Sequence, residues 1–300
     1  MLNLAVTTRQ WNPGDDFVLK GIRNIFPQDV QWAVYNRNPD NRLSLGNHWT
    51  THSLDIFDNV VIAGTPQWYG ESVRKLFEAL KDNPKPVYFL GIGVGESGVL
   101  DLSDLDLEIL RMAKVVITRG DHCRDLLLDL GIAATSNVCP ALFVSKHILG
   151  YYGDSFGCVL TAKHHWRLNI NDDFVDRQIR LFKEFGDEVI VHHLDEIEFA
   201  KKHFSQVYYS YDPNDYEEIY DKYGFIISSR LHGAVLGLSL GKPSFLIDVD
   251  SKRCQDAASQ FDPLVYCKPE EVVDRLDEPS FGNDVFAFKA KKKEEYSRLV

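Results

Sequence analysis

Phe225-Ile226-Ile227-Ser228-Ser229-Arg230-Leu231-His232-Gly233-Ala234-Val235-Leu236-Gly237-Leu238, followed by Leu240-Gly241-Lys242-Pro243, is the stretch on which the reading of this chain turns. It opens with a short apolar run of the kind that forms a buried strand. It continues with small and apolar residues at helical spacing and ends in a Gly-Lys-Pro stop. Arg230 and His232 therefore stand where a strand gives way to a helix. In an open parallel sheet that junction faces the ligand crevice, and the unpaired N–H groups of a helix start favour an anion. A cation and an imidazole there suggest a phosphate or carboxylate ligand. Taken in isolation, an Arg-x-His is better explained by an ion pair with a neighbouring carboxylate and a histidine that caps the helix.

Outward from this stretch the chain alternates strands and helices. Strands are expected over residues 2–7, 30–34, 60–63, 87–90 and 115–118, with helices over 15–26, 71–80, 105–113 and 122–130. A linker near 151–154 separates these from a second series. Its strands fall at 158–161, 188–191, 206–209, 225–227 and 244–247, and its helices at 173–185, 196–203, 215–222 and 233–240. Such alternation implies parallel sheets wound by right-handed crossovers. The predicted architecture is α/β, with two Rossmann-like doubly wound domains, residues 1–150 and 151–300, facing each other across a cleft in a GT-B-like arrangement. A charged helix from residue 281 onward is expected along the surface of the second domain. The polar stretch 36–53 is long for a connection without structure of its own and suggests an acceptor or lid loop, or plain surface irregularity.

Composition narrows the partners. The chain has 300 residues and a formal net charge of −11, which argues against a broad nucleic-acid or anionic-membrane surface. Any anion must then be held by a local basic pocket. No apolar run approaches membrane-spanning length and the first residues lack the features of a signal peptide, so a cytoplasmic location is expected. The five cysteines are scattered, without Cys-x-x-Cys spacing, and suggest neither a disulfide framework nor a zinc site.

The loops expected at the cleft hold much of the chain's His and Trp. Asn12 and Asp15 lie after the first strand, Trp68 after the third, Gly93 after the fourth and Arg119 after the fifth; His192 and His193, Arg230 and His232, and Lys252 and Arg253 lie in the second domain. Each has a plainer reading. Gly91-x-Gly93-x-Gly95 can cradle phosphate through backbone N–H groups, but it is not the dinucleotide fingerprint. Asp15 is as readily a helix cap as a base, and Trp68 packs as readily as it stacks on a sugar ring. Vicinal histidines on a strand point to opposite faces, so no metal site is expected.

The Ser-x-Arg-Leu-His-Gly-Ala block leading into Gly-x-Pro resembles the signature of the polysaccharide pyruvyl transferase family. Other blocks resemble that family in the same order: Asn12-Pro13-Gly14-Asp15, Gly91-Ile92-Gly93-Val94-Gly95, Thr118-Arg119, Pro140-Ala141 and Asp250-Ser251-Lys252. The chain departs from the family pattern at Gly64-Thr65-Pro66 in place of a triple glycine, at Gly120 in place of an Asp after the Arg, and at Cys139 in place of an Asp before Pro-Ala.

The resemblance implies transfer of the enolpyruvyl unit of phosphoenolpyruvate to two sugar hydroxyls, forming a pyruvate ketal and releasing phosphate, with no cofactor and no metal. It makes His232 the general acid or a phosphate ligand and Asp15 a base or acceptor-hydroxyl partner. Arg119, Arg230 and Lys252 become cations for the two oxyanions of the donor, which guanidinium groups bind bidentately. Asn12, Gly93 and Trp68 complete the expected substrate contacts. The implied acceptor is a glycan or a lipid-linked oligosaccharide, the latter placing the enzyme at the periphery of the inner membrane. Two other readings remain open at this point: a glycosyltransferase using a nucleotide sugar, and a catalytically silent glycan-binding relative.

Overall fold

The computed structural model describes residues 1–8, 12–36, 51–64, 71–146, 153–162, 172–249, 251–279 and 282–300. Trp68, the segment 37–50, Thr65 and Pro66, residues 163–171 and Asp250 lie outside the described residues.

The apolar runs become two six-stranded sheets, each with every pairing parallel. The first contains β1 (Leu2–Thr7), β2 (Gln31–Asn36), β3 (Asn59–Ala63), β4 (Val87–Ile92), β5 (Val115–Thr118) and β6 (Thr135–Ser136), in the order β2-β1-β3-β4-β5-β6. The second contains β7 (Phe156–Leu160), β8 (Glu188–Val191), β9 (Gln206–Tyr208), β10 (Phe225–Ser228), β11 (Ser244–Ile247) and β12 (Leu264–Cys267), in the order β12-β11-β10-β7-β8-β9. Central strands read as unbroken hydrophobic runs because helices cover both faces; all residues of β4, β10 and β11 are buried.

The helices are α1 (Pro13–Ile25), α2 (Glu71–Asp82), α3 (Asp104–Met112) and α4 (Asp121–Asp129) in the first domain, with α5 (Asp172–Phe185), α6 (Ile197–Ala200), α7 (Asp215–Asp221), α8 (Leu231–Ser239), α9 (Lys252–Ala258) and α10 (Gly282–Ser297) following. Two edge strands escaped the sequence reading. β6 has only two residues, and β12, bounded by Pro263 and Lys268-Pro269, is four residues long. The helix expected over 196–203 is shorter, because a 3-10 turn at Leu194–Glu196 precedes α6.

Topology fixes where ligands go. Strand order reverses between β1 and β3 in the first sheet and between β7 and β10 in the second. Crevices open at the carboxyl ends of strands flanking such switch points. The first crevice is where β1 leads toward α1; the second is where β10 leads into α8. One core cluster joins the two domains, with Phe17 and Val18 of α1 in the same cluster as Tyr216, Leu231 and Val235. The Pro140–Phe143 turn is wholly buried between them, and Asn24 Nδ2 donates to the carbonyls of Phe143 and Val144 at 2.8 and 2.9 Å.

All nine residues of α8 are buried, which explains why its sequence is apolar all round rather than striped. The carboxyl-terminal helix does more than lie on the surface. Tyr296 of α10 is fully buried, donates its hydroxyl to the Val138 carbonyl at 2.8 Å and packs edge-on against Phe143, so α10 returns to the first domain.

Candidate active site

Asn12, Glu96, His192, Ser229, Arg230, Leu231, His232, Arg253 and Cys254 line a cavity of about 60 Å³ where the two crevices meet. Each arrives by an elementary local rule. Asn12 is the N-cap of α1: its backbone is extended and its side-chain oxygen accepts from the Gly14 N–H at 3.0 Å. Arg230 is the N-cap of α8 and carries no side-chain cap bond, which frees its guanidinium for other contacts. The starts of α1 and α8 therefore converge, one from each domain.

The close approach of those two helix starts depends on Gly14. A Cβ at that position would lie 2.1 Å from Nδ1 of His232 and 2.7 Å from its Cγ. The amino-terminal Asn-x-Gly-Asp turn and the Arg-Leu-His-Gly block, more than two hundred residues apart in sequence, thus form one contact. Gly93 plays a similar part for Arg119, since a Cβ there would stand 2.6 Å from the guanidinium Nε. The glycine loop leaves room for an arginine.

Arg119 is the most telling group. It follows β5, is 1% exposed, and its Nε and Nη2 have no hydrogen-bond partner. Burial holds its pKa below the usual arginine value, and Arg253 adds to the shift by repulsion. Cys139, which stands where the family pattern has an Asp, is buried against it. A thiol does less to neutralise this cation than a carboxylate would. Burial pushes the Cys139 thiol up, against the opposing pull of Arg119.

Arg230 is differently placed. It pairs with Glu196, both side chains being almost wholly buried, and its Nε donates to the Leu160 carbonyl at 3.1 Å. Glu196 is itself held by the backbone N–H groups of Ala162 at 2.9 Å and His193 at 3.2 Å. The bland expectation of a carboxylate partner is therefore correct for Arg230, yet the residue still lines the cavity. Nothing in the sequence pattern singled out Glu196, whose role comes from the short 3-10 turn after β8.

His232 is the second residue of α8, and Arg230, not His232, holds the N-cap position. Its Nε2 is buried without a partner. Burial drives its pKa well below the ordinary histidine value, and Arg119, Arg253 and Arg230 repel its charged form further. The imidazole is consequently neutral around pH 7, not poised at its unperturbed value. His192 shares this character. It is 2% exposed, its Nε2 is 3.0 Å from the Tyr220 hydroxyl, and its Nδ1 has no partner. Its pKa is also well below the ordinary value, through burial and then through Arg230 and His232.

Lys252 corrects the sequence reading. Ser251 is the N-cap of α9 and accepts from the Cys254 N–H at 3.3 Å, so Lys252 begins the helix and points outward. It is exposed, and its Nζ donates to Gln255 Oε1 at 3.3 Å. Successive helical side chains diverge by about 100°, and the next residue, Arg253, is the one that faces the cavity. Burial works against the charge of Arg253, but the Glu96 carboxylate 2.6 Å away raises its pKa above the usual value.

Glu96 belongs to the first domain and also accepts from the Ser251 hydroxyl, so it ties the two domains at the cavity edge. Asp15 does not line the cavity. It sits in the first turn of α1, where its charge acts on Arg253. Of the expected residues, the structure brings together Asn12, Arg119, Arg230 and His232, with Gly93 behind Arg119. His192, Arg253 and Glu96 join them from the loops expected at the cleft, and Glu196 is the addition that the structure makes. Among the described residues no group of three or more His, Cys, Asp or Glu could hold a metal ion, and no helix is long and apolar enough to cross a membrane.

Two parallel wound sheets meeting at a cationic crevice define a two-domain α/β protein of the GT-B type, and solved structures agree. A UDP-GlcNAc 2-epimerase from Methanocaldococcus jannaschii aligns with a TM-score of 0.61 at 12% identity, covering 99% of this chain and 98% of the other. The S. aureus protein MnaA, solved with UDP, aligns at a TM-score of 0.59 and 12% identity over 98% of this chain and 92% of that one. An α-glucosyltransferase in complex with UDP and DNA aligns at 0.51 and 11% identity over 100% and 94%. At such identities the likeness is one of fold. No curated protein sequence matches the chain. The family model for polysaccharide pyruvyl transferase matches residues 12–251, which runs from the N-cap of α1 to the N-cap of α9, and the chain belongs to that family.

Proposed function

We propose that the protein transfers the pyruvyl unit of phosphoenolpyruvate to two hydroxyls of a glycan, forming a cyclic ketal and releasing phosphate. The observation that carries this reading is Arg119. A fully buried guanidinium with two unpartnered nitrogens requires an anion, because burying a charge without a partner is costly. Arg230 and Arg253 add two cations from the second domain, and the donor brings two oxyanions, a phosphate and a carboxylate. Among the described residues the lining side chains offer one carboxylate, Glu96, and that is already taken by Arg253 and Ser251.

The chemistry follows from the protonation states. One acceptor hydroxyl adds to the central carbon of phosphoenolpyruvate as its methylene carbon takes a proton; the C–O bond to phosphate then breaks, and the second hydroxyl closes the ketal. The proton released by the first hydroxyl balances the one gained by the methylene carbon, and that of the second leaves with phosphate. Donor binding places negative charge beside His232, opposing the three guanidiniums that depress its pKa, and so turns a neutral imidazole into a proton carrier. His192 is a second neutral imidazole on the same wall, suited to accept a hydroxyl proton. The acceptor, a free or lipid-linked glycan, enters from the side of the first domain.

The test is phosphate release from phosphoenolpyruvate in the presence of galactose-, mannose- and glucose-type glycans, with the ketal read by mass. Turnover should vanish in His232→Ala, and phosphoenolpyruvate should raise the Tm of the wild type but not of Arg119→Gln. Stabilisation by UDP-GlcNAc and not by phosphoenolpyruvate would overturn this reading in favour of a nucleotide-sugar enzyme.

A further inference from the structure

A second cavity, of about 850 Å³, lies at the opposite end of α1 from the active site. It is lined by the last turn of α1 and by α10, whereas Asn12 of the active site caps the first turn. Thirteen helical residues separate the two by about 20 Å. From this cavity we infer a binding site for a phosphorylated lipid: a phosphate ester carrying a hydrocarbon chain.

Charge is the first argument. The chain has 44 acidic and 33 basic side chains, so a cavity of average composition would be lined by more carboxylates than cations. This one is lined by Arg23, Lys146, Lys289 and Lys293 and, among the described residues, by no Asp or Glu side chain. Lys146 and Lys293 have no ion-pair partner among the described residues, although Lys292 beside them pairs with Glu295. Lys289 and Lys293 are four apart on α10, a spacing at which like charges destabilise a helix.

Lys289 is the second argument. Its Nζ donates to the carbonyls of Ser145 and Ser239, both at 2.7 Å, clasping α10 to the end of α8. That clasp accounts for its position and leaves its charge unneutralised. Burial, then Lys293, pull its pKa down to about 8. The carboxylate that acts on it from α7, Glu217, is bound to Lys20. An anion entering the cavity would meet an ammonium that the protein has desolvated but not paired.

The apolar lining is the third argument and separates a lipid from a simple ion. Phe26, Phe143 and Phe286 line the same cavity as the cations. Inorganic phosphate would use the cations and leave most of the volume empty. A hydrocarbon chain fills that volume, while the head group meets the lysines.

The test uses decyl phosphate as the probe, with inorganic phosphate and decyl maltoside as controls, titrated calorimetrically into the full chain. Decyl phosphate should bind saturably and at least tenfold more tightly than either control. The double variant Lys146→Gln/Lys293→Gln changes exposed side chains and should weaken that binding about tenfold, with Tm unchanged; Phe286→Ala should weaken decyl phosphate but not inorganic phosphate. Equal affinity for inorganic phosphate, binding unaffected by both variants, or no binding at all would each overturn the proposal.

Discussion

Gly14→Ala isolates the contact that joins the two halves of the site. The added methyl would stand 2.1 Å from Nδ1 of His232, and an ordinary contact needs about 3.4 Å or more, so the ring must retreat by more than about 1 Å. Misplacement of a reacting group by about 1 Å costs on the order of a hundredfold in rate. The effect on stability should be far smaller. Gly14 lies in the first turn of α1 without a positive φ, so alanine contributes up to about 1 kcal/mol of helix propensity against about 1–3 kcal/mol of overpacking. The expected variant is therefore folded, within about 2 kcal/mol of wild type by urea unfolding, and at least a hundredfold slower in phosphate release. Activity within about threefold of wild type, at unchanged Tm, would refute the assignment of His232 to the reaction and the reading of Gly14 as a clearance glycine.

Acid should destabilise the protein earlier than its carboxylates would. His192 and His232 have folded pKa values well below 6.5, so the unfolded chain binds protons there that the folded chain does not; stability is greatest above pH 6.5 and falls as pH drops through it, by up to about thirtyfold, or ~2 kcal/mol, between pH 6.5 and 5.5, as urea unfolding at those pH values will show. Phosphoenolpyruvate should be bound with net proton uptake at pH 6.5, because its charge lifts the depressed pKa of His232; calorimetry in two buffers of different ionisation enthalpy measures it, and zero uptake would contradict the proposed proton carrier. Lys252→Ala should leave phosphoenolpyruvate affinity within about twofold, whereas Arg253→Ala should weaken it about ten- to a hundredfold, the worth of a charged hydrogen bond. Gly120→Asp, which restores the family pattern, should destabilise the protein by about 3 kcal/mol or more, and Asp256→Ala in the same chain should relieve most of that loss.

The sheets were legible because burial on both faces writes continuous apolar runs, and the strand-to-helix junction at Ser228–Leu231 was legible because β10 and α8 are both wholly buried. The cation at the start of α9 was not. Lys252 and Arg253 are adjacent, and which one faces the cavity depends on Ser251 capping the helix and on Glu96, 155 residues away in sequence from Ser251. Glu196 was missed for a related reason: its carboxylate is bound at once by β8, β7 and α8 neighbours through His193, Ala162 and Arg230. The protonation state of His232 was also invisible. It depends on Arg119 and Arg253, which are distant in the chain or across a helix start, and on burial that only the packed domains supply.

The departures from the family pattern acquire meaning once the charges are placed. At Gly120 a Cβ would lie 2.1–2.3 Å from the carboxylate atoms of Asp256, which arrives from α9 and accepts from the N–H groups of His122 at 2.8 Å and Cys123 at 3.2 Å. A carboxylate that the pattern places within the first domain is thus supplied by the second, and it caps α4 from across the interface. The same helix delivers Arg253 to Glu96, so α9 is bound to the first domain at two points while presenting a cation to the cavity. At Cys139 the exchange runs the other way: a thiol takes the place of a carboxylate beside Arg119, and Glu96, the carboxylate that acts on Arg119 among the described residues, is already bound to Arg253 and Ser251. The net result is a site with tighter joining of its domains and less internal neutralisation of its deepest guanidinium. Both changes act in one direction, toward a cleft whose positive charge is held in place and left for a ligand to satisfy.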